Sequence, residues 1–367
     1  MILHINTSRE WRGGEQQLFY LAQGLSLEKI NQIIIGIPGS PLEERCLAEG
    51  FEFIPLEMKS ELDFRAIRSI RAICQSKKVS LIHTHTGHAH TLALLAKRKH
   101  LNIPLIVSRR VDFKPAQSFF SRWKYKHPAI NYYLPVSHKI RSIMIEAGIS
   151  PERLITVYSG IDLKRFVKMA SGETLREEFS IPKKTIIIGN IAALVDHKDQ
   201  ETLIRSIAKI KTELPFKLLI VGEGKLEKKL KAITRELGLE EKIIFTGYRK
   251  DIPELLSLFD IFTLTSKEEG LGTSVLDAMA AGLPIVATRG GGIAEMLTHE
   301  KGAYLANVAD TDSLAQYYND LIESEVLRST FGSFNKQSVK RFSFQNTVQK
   351  TKLIYYSFLG DSLYEKV

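Results

Sequence analysis

Short apolar runs alternate with amphipathic stretches along most of the chain. Ile2–Asn6, Gln32–Ile37, Leu81–Thr84, Leu105–Ser108, Asn131–Val136 and Leu154–Val157 read as buried strands, and the windows 15–27, 62–76, 89–99 and 137–147 read as helices between some of them. This alternation predicts a mostly parallel sheet covered on both faces by helices. The pattern then restarts. Thr185–Ile191, Lys217–Val221, Lys242–Thr246, Ile261–Thr265, Pro284–Thr288 and Ala303–Leu305 read as strands, with helices near 200–212, 225–236, 251–258, 274–281 and 310–322. Between the two series lie Tyr158–Phe166 and the polar Lys168–Thr174, where Gly160 after an apolar run marks a turn. The expected organisation is an α/β chain of two doubly wound domains, 1–167 and 168–341. A third segment, 342–367, carries Phe344, Val348, Leu353, Ile354, Tyr355 and Phe358, enough apolar surface to bury a helix. Ligands of such sheets bind beyond the carboxyl ends of the strands.

Composition narrows the class. Hydrophobic residues at 44% and charged residues at 25% are ordinary for a globular protein and exclude a disordered, collagen-like or disulfide-stapled chain. Cys46 and Cys74 match no metal or redox spacing, which fits a reducing compartment. No run reaches the ~18 apolar residues of a membrane span, and MILHINTSREWRGGEQQ reads as a first strand rather than a signal peptide. A cytoplasmic protein is expected.

The net charge of +10 is concentrated. Residues 97–141 hold eleven basic side chains (Lys97, Arg98, Lys99, Arg109, Arg110, Lys114, Arg122, Lys124, Lys126, Lys139 and Arg141) against one acid, Asp112, and so account for all of it. A solvated basic face is one reading; an anionic partner such as phosphate, acidic lipid or nucleic acid is the other.

The strongest chemical signal runs from Thr265 to Thr288. A strand ends at Thr265; Glu268, Glu269, Gly270 and Gly272 form a loop; a helix starts near Thr273 or Ser274 and stops at Gly282. The glycines let backbone approach a ligand closely, and a helix start offers N–H groups to a diphosphate. Glu269 and Asp277 are both placed to accept hydrogen bonds from vicinal hydroxyls, as on a sugar and a ribose.

This segment resembles the E-x7-E motif of retaining glycosyltransferases of the family 4 type, which have the GT-B fold. The resemblance extends over nearly the whole chain, through Gly13-Gly14, the Tyr158–Phe166 linker, Lys198, Gly222-Glu-Gly224, Gly270-Leu271-Gly272 and Gly290–Glu295. It implies two Rossmann-like domains facing a central cleft, with the final helix crossing back to the N-terminal domain. It implies that Glu269 contacts the donor sugar and Asp277 the ribose, although Asp277 stands where Glu is usual. Gly13 and Gly14 would lie over the donor phosphate. Lys198 would clamp the diphosphate, but Ala193 occupies the place of the family's second cation, leaving Arg249, Arg109 or Arg289 to substitute. Gly222, Gly270, Leu271, Gly272 and Thr273 complete the implied donor site.

On the N-terminal side, Leu81–His90 holds four histidines. Metal is not expected, because Gly87 breaks the geometry and no Cys or carboxylate stands nearby. The resemblance makes His85 and His88 candidates for the acceptor or the donor sugar. Arg109 and Arg110 stand near a position where many relatives carry His. Arginine cannot be a base, so a phosphate or an anionic acceptor is its expected partner, with Asp112 orienting it or receiving the acceptor proton. Phe119, Phe120 and Trp123 share a face of a basic helical stretch, which reads either as interfacial or as packed core.

The expected activity is transfer of a sugar from a UDP- or GDP-sugar to an acceptor hydroxyl with retention. Glu269, Lys198 and Asp112 are the candidate catalytic residues, and no cofactor, metal or nucleic acid is expected. The expected acceptor is lipid-linked or anionic, as in envelope glycolipid or lipopolysaccharide assembly, with peripheral binding at the inner face of a membrane. The alternatives are an epimerase or phosphorylase on the same fold, or a non-catalytic binder of anionic polymer. Gly222-Glu-Gly224 has no third glycine for a nicotinamide site, and Asp310-Thr-Asp312 reads as a helix cap.

Overall fold

The computed structural model describes residues 1–97, 101–112, 114–115 and 118–363, so Arg98 and Lys99 of the basic segment lie outside the described residues. The chain forms two compact units, one of Met1–Gly160 together with the segment from Phe344 on, the other Ile161–Ser343.

In the first unit the strands are β1 (Ile2–Ile5), β2 (Gln32–Gly36), β3 (Phe53–Pro55), β4 (Leu81–Thr84), β5 (Leu105–Arg109) and β6 (Tyr132–Pro135). The helices are α1 (Gly13–Leu27), α2 (Pro41–Ala48), α3 (Phe64–Ser76), α4 (Gly87–Lys97), α5 (Phe119–Lys126) and α6 (His138–Glu146). The pairings are all parallel, in the order β3-β2-β1-β4-β5-β6. The order reverses between β1 and β4, the switch point at which such sheets bind ligands.

The second unit repeats the plan with β7 (Ile186–Ile191), β8 (Phe216–Val221), β9 (Ile243–Gly247), β10 (Ile261–Leu264), β11 (Ile285–Thr288) and β12 (Ala303–Ala306). Its helices are α7 (Glu173–Glu178), α8 (Gln200–Ile207), α9 (Glu227–Glu236), α10 (Ile252–Leu258), α11 (Thr273–Ala281), α12 (Thr311–Glu323) and α13 (Glu325–Ser338). The order is β12-β11-β10-β7-β8-β9, with the switch between β7 and β10. Asn190 Nδ2 donates to the Thr263 carbonyl at 2.9 Å across that seam.

Local chemistry sets the helix starts. Asp63 accepts from the Arg65 and Ala66 N–H groups at the head of α3, Ser118 accepts from Ser121 at α5, and Ser137 from Ile140 at α6. Four elements escape the hydrophobic pattern: α7 and α13, which match no expected window, and β3 and α2. β3 is three residues long and ends in proline, and α2 is announced only by its Ser40 cap and Pro41. The expected strand Leu154–Val157 is instead an isolated bridge from Leu154 to Tyr133. Its Ile155 and Val157 N–H groups donate to the Tyr133 and Pro135 carbonyls, so it edges the sheet without becoming a full strand.

The chain leaves the second unit at Ser343 and α14 (Phe344–Leu359) packs in the first. Phe344 stacks on Tyr20 at 5.0 Å, Phe358 meets Tyr132 at 5.4 Å, and the buried Tyr355 reaches His83. Gly24 makes the α1–α14 approach possible, since a Cβ there would fall 2.4 Å from Val348 Cγ2. Each apolar side chain fully buried in this seam contributes about 1.5–3 kcal/mol. The division between the units falls at Gly160/Ile161, ahead of the expected 167/168, because Gly160 is tied back to α1. Gln17 donates to the Gly160 carbonyl at 2.7 Å and accepts from its N–H at 2.8 Å.

Candidate active site

In the second unit the switch point brings two loops together. Lys198 ends the 3₁₀ turn Asp196–Lys198 after β7, and Glu269 lies in the loop after β10. The Lys198 ammonium donates to Glu269 Oε2, which also accepts from Ser266 Oγ at 3.3 Å. Their side chains keep 17% and 15% of their exposure, so the pair is sheltered yet reachable from solvent. Backbone contacts fix both loops. The Lys267 N–H donates to the His197 carbonyl at 2.8 Å and Thr265 Oγ1 to the Asp199 carbonyl at 3.0 Å. The Gly292 N–H donates to the Glu269 carbonyl at 2.8 Å. Gly291, at φ +61°, leaves no room for a Cβ, which would sit 2.0 Å from the Glu269 oxygen.

Gly272, at φ +90°, caps α11 and delivers Thr273 to its first turn. The N–H groups there lack helical partners and suit an anion. The Leu271 side chain is buried. Asp277 lies one turn into α11. Its Oδ1 has no hydrogen bond and stands 3.8 Å from Arg165 Nη1. Desolvation pushes its pKa up to about 6, with Arg165 opposing.

Gly222 has a local structural cause: at φ +134° a Cβ would lie 2.1 Å from the Ala192 carbonyl oxygen. Arg249 is not a spare cation. It makes four hydrogen bonds of 2.5–3.1 Å to Glu178 and Asp251, and both carboxylates raise its pKa. To join a diphosphate clamp, as one of the three arginines expected to substitute, it would have to leave these two carboxylates. Arg109 lies in the other unit, and Arg289 is exposed after β11.

The switch point of the first unit is a buried polar cluster. His4 on β1 lies in parallel register with His83 on β4. His4 Nδ1 and His85 Nε2 share a hydrogen bond at 3.0 Å, while His83 bonds the Tyr355 hydroxyl at 2.5 Å and Ser108 Oγ at 2.9 Å. Desolvation lowers the pKa of His4 to about 3 and those of His83 and His85 well below the usual value. All three are neutral at pH 7. Candidate ligand nitrogens on the three rings lie within 4.8 Å of one another. The Arg110 charge that disfavours protons on His83 and His85 would also repel a metal dication there.

His85, a candidate for contact with the acceptor or the donor sugar, is buried and held by His4. His88, one turn further on in α4, is half-exposed, with its Nε2 unpartnered. Gly13 and Gly14 open α1, and a Cβ on Gly14 would lie 3.6 Å from Arg110 Cδ. Arg110 lines a cavity of about 20 Å³, room for one water, with Gln17, His83, Ser108, Thr347 and Thr351. The neighbouring Arg109 is buried and donates to the Tyr125 hydroxyl at 2.8 Å beneath α5. Asp112 is half-buried in the loop beyond β5, and its charge favours that of Arg109. His4, Tyr355 and Arg165 went unsuspected from sequence; the β1–β4 pairing would have pointed to His4.

The basic segment is partly spent inside the fold. Lys124 is buried and bonds Glu61 and the Gly87 carbonyl, Lys97 holds the Ala129 carbonyl, and Lys114 pairs with Glu146. On α5, Phe119 remains 87% exposed and Phe120 40%, beside exposed Arg122 and Lys126. The aromatic stripe is not packed core at these two positions. Among the described residues no helix is long and apolar enough to cross a membrane.

Two parallel doubly wound sheets, each with polar groups gathered at its switch point, define a two-domain α/β protein of GT-B type. Residues 171–338 match the family described as Glycosyl transferases group 1, and residues 11–165 match Glycosyltransferase Family 4. The chain belongs to this group of glycosyltransferases. It is 31% identical over 233 residues to an N-acetyl-alpha-D-glucosaminyl L-malate synthase of Bacillus anthracis, a match spanning 63% of this chain and 61% of the relative. It is 22% identical to the UDP-Gal:alpha-D-GlcNAc-diphosphoundecaprenol alpha-1,3-galactosyltransferase of Escherichia coli, over 80% of this chain and 79% of that one. The crystal structure of Anabaena HepE in complex with UDP and glucose superposes with a TM-score of 0.84 at 20% identity, covering 97% of this chain and 99% of the other.

Proposed function

We propose that this protein transfers a sugar from a nucleotide-diphosphate sugar to an acceptor hydroxyl with retention of anomeric configuration. The observation that carries the reading is the Lys198–Glu269 pair at the β7/β10 switch point, next to the open N–H groups of α11. Lys198 and those N–H groups neutralise the charge that develops on the departing nucleoside diphosphate. Glu269 holds the donor sugar by its hydroxyls while the anomeric carbon passes through an oxocarbenium-like state. Asp277 accepts from the ribose. The UDP bound to the Anabaena neighbour supports a uridine or similar donor.

The first unit takes the acceptor. The malate and diphosphoundecaprenol in the relatives' names support an anionic or lipid-linked acceptor of the kind used in envelope glycolipid assembly. Exposed Phe119 and Phe120 with Arg122 and Lys126 suit an anionic membrane surface, aromatics inserting while cations meet headgroups at about 1 kcal/mol each.

Incubation with a panel of UDP- and GDP-sugars and measurement of released nucleoside diphosphate tests the donor reading. Release with at least one donor, lost in Lys198→Ala, is expected; no release with any donor sinks it. Co-sedimentation with anionic vesicles, weakened by salt and by Phe119→Ser, tests the surface, and equal binding by the variant would refute it.

A further inference from the structure

We propose that Arg110 reads an anionic group, a phosphate or carboxylate, on the acceptor beside its reacting hydroxyl. This rests on the acceptor role given above to the first unit.

Two adjacent arginines leave β5 in different circumstances. Arg109 is absorbed by the fold, its guanidinium on the Tyr125 hydroxyl and its stem buried beneath α5. Arg110 sits on the side of the switch point, with Ser108, His83 and the first turn of α1 around it. Among the described residues no carboxylate comes within the 4 Å of an ion pair with it. Among the described residues its side chain makes one hydrogen bond, to Ser159 Oγ at 3.4 Å, and its Nε has no partner. The charge that most favours it, that of Glu15, acts without a direct contact, because the Glu15 oxygens are hydrogen-bonded to Asn6 and to the Arg12 N–H. The imidazoles beside it are neutral and offer no compensation.

A largely desolvated cation with no carboxylate in direct contact is costly. Burial pulls this guanidinium's pKa down to about 10, and it is still charged at pH 7. The fold tolerates this because the site is complete only when a ligand brings the anion. A guanidinium presents a planar fork that two oxygens of a phosphate or a carboxylate fill together. The cavity itself holds only about one water, so the anion meets Arg110 from the side of the Gly13–Gly14 turn.

Thermal melts of wild type, Arg110→Gln and Arg110→Lys, with saturating UDP present, test the assignment. Inorganic pyrophosphate and L-malate serve as separate probes. UDP alone is expected to raise the melting temperature of all three proteins; if it raises none, the donor reading fails, whatever Arg110 does. Pyrophosphate or malate is expected to add a further shift in wild type. In Arg110→Gln the same shift should need at least tenfold more probe, and Arg110→Lys should recover part of the loss. A response to pyrophosphate assigns a phosphate-bearing acceptor, and a response to malate a carboxylate. Without probe, Arg110→Gln is expected to melt at or above wild type, because it removes a desolvated charge that no carboxylate contacts. An equal response in Arg110→Gln, or no response to either probe in wild type, overturns the proposal.

Discussion

Lys198 and Glu269 occupy each other: the ammonium on the loop after β7 donates to the carboxylate on the loop after β10. A donor that engages Lys198 through its diphosphate and Glu269 through its sugar must separate them. Glu269→Ala leaves Lys198 without its carboxylate and, on the proposed donor reading, also removes a sugar contact. Loss of one preorganised electrostatic contact of this kind costs about 10²–10³ in turnover. Transfer assays on Glu269→Ala and Lys198→Ala should each fall at least this far, with far-ultraviolet dichroism unchanged. Near-normal turnover in Glu269→Ala would refute the site.

Asp277 gives a pH signature in the second unit. Its pKa rises from 3.8 in the free side chain to about 6 in the fold. Between those values the native protein holds a proton that the unfolded chain has lost, so this residue's contribution to stability falls as pH rises from about 4 to 6. Asp277→Asn should remove that decline and leave the protein at least as stable at pH 7. Urea midpoints across this range measure it. Donor affinity should fall in the same variant if the ribose needs a carboxylate.

The histidine cluster has the opposite sign. His4, His83 and His85 are neutral when folded and take up protons when unfolded. Below the free imidazole value near 6.5 the unfolded state binds more protons. Stability is therefore lost as pH falls, by up to about 1.4 kcal/mol per pH unit for each group. Denaturation of the first unit, followed at pH 7 and pH 5, should show it failing before the second. His4→Phe should shallow the slope; an unchanged slope would mean that His4 is not buried as described.

Gly24 should be replaceable only with help from α14. Its Cβ position lies 2.4 and 2.8 Å from the two Val348 methyl groups. Gly24→Ala should destabilise by about 1–3 kcal/mol through overpacking. Val348→Ala in the same chain should return part of that loss. Chemical denaturation of the two single variants and the double variant gives the coupling, and strict additivity would exclude the contact.

The two sheets were legible because parallel strands buried on both faces leave continuous apolar runs, and eleven of the twelve strands coincide with such runs. The loop from Thr265 to Gly272 was legible because Glu-Glu-Gly-Leu-Gly before a helix start leaves little local alternative. Strand order was not. Nothing adjacent in the chain places His4 beside His83 and His85, and only the β1–β4 pairing does so. Arg109 and Arg110 illustrate the same limit: one residue of register decides which lies under α5 and which faces α1. Arg249 looked available because one of its two carboxylates, Glu178, comes from a distant segment, although the other, Asp251, stands two residues on.

The return of α14 sets an order of assembly on the ribosome. Everything the second unit needs, Ile161–Ser343, is synthesised in one stretch and can close on itself as it emerges. The first unit has all six of its strands early but lacks the helix that covers Tyr20, Gly24 and His83 until the intervening domain has been made. Through that interval its apolar flank is open. A premature stop just before Phe344 would spare the second unit and leave the first exposed to proteolysis.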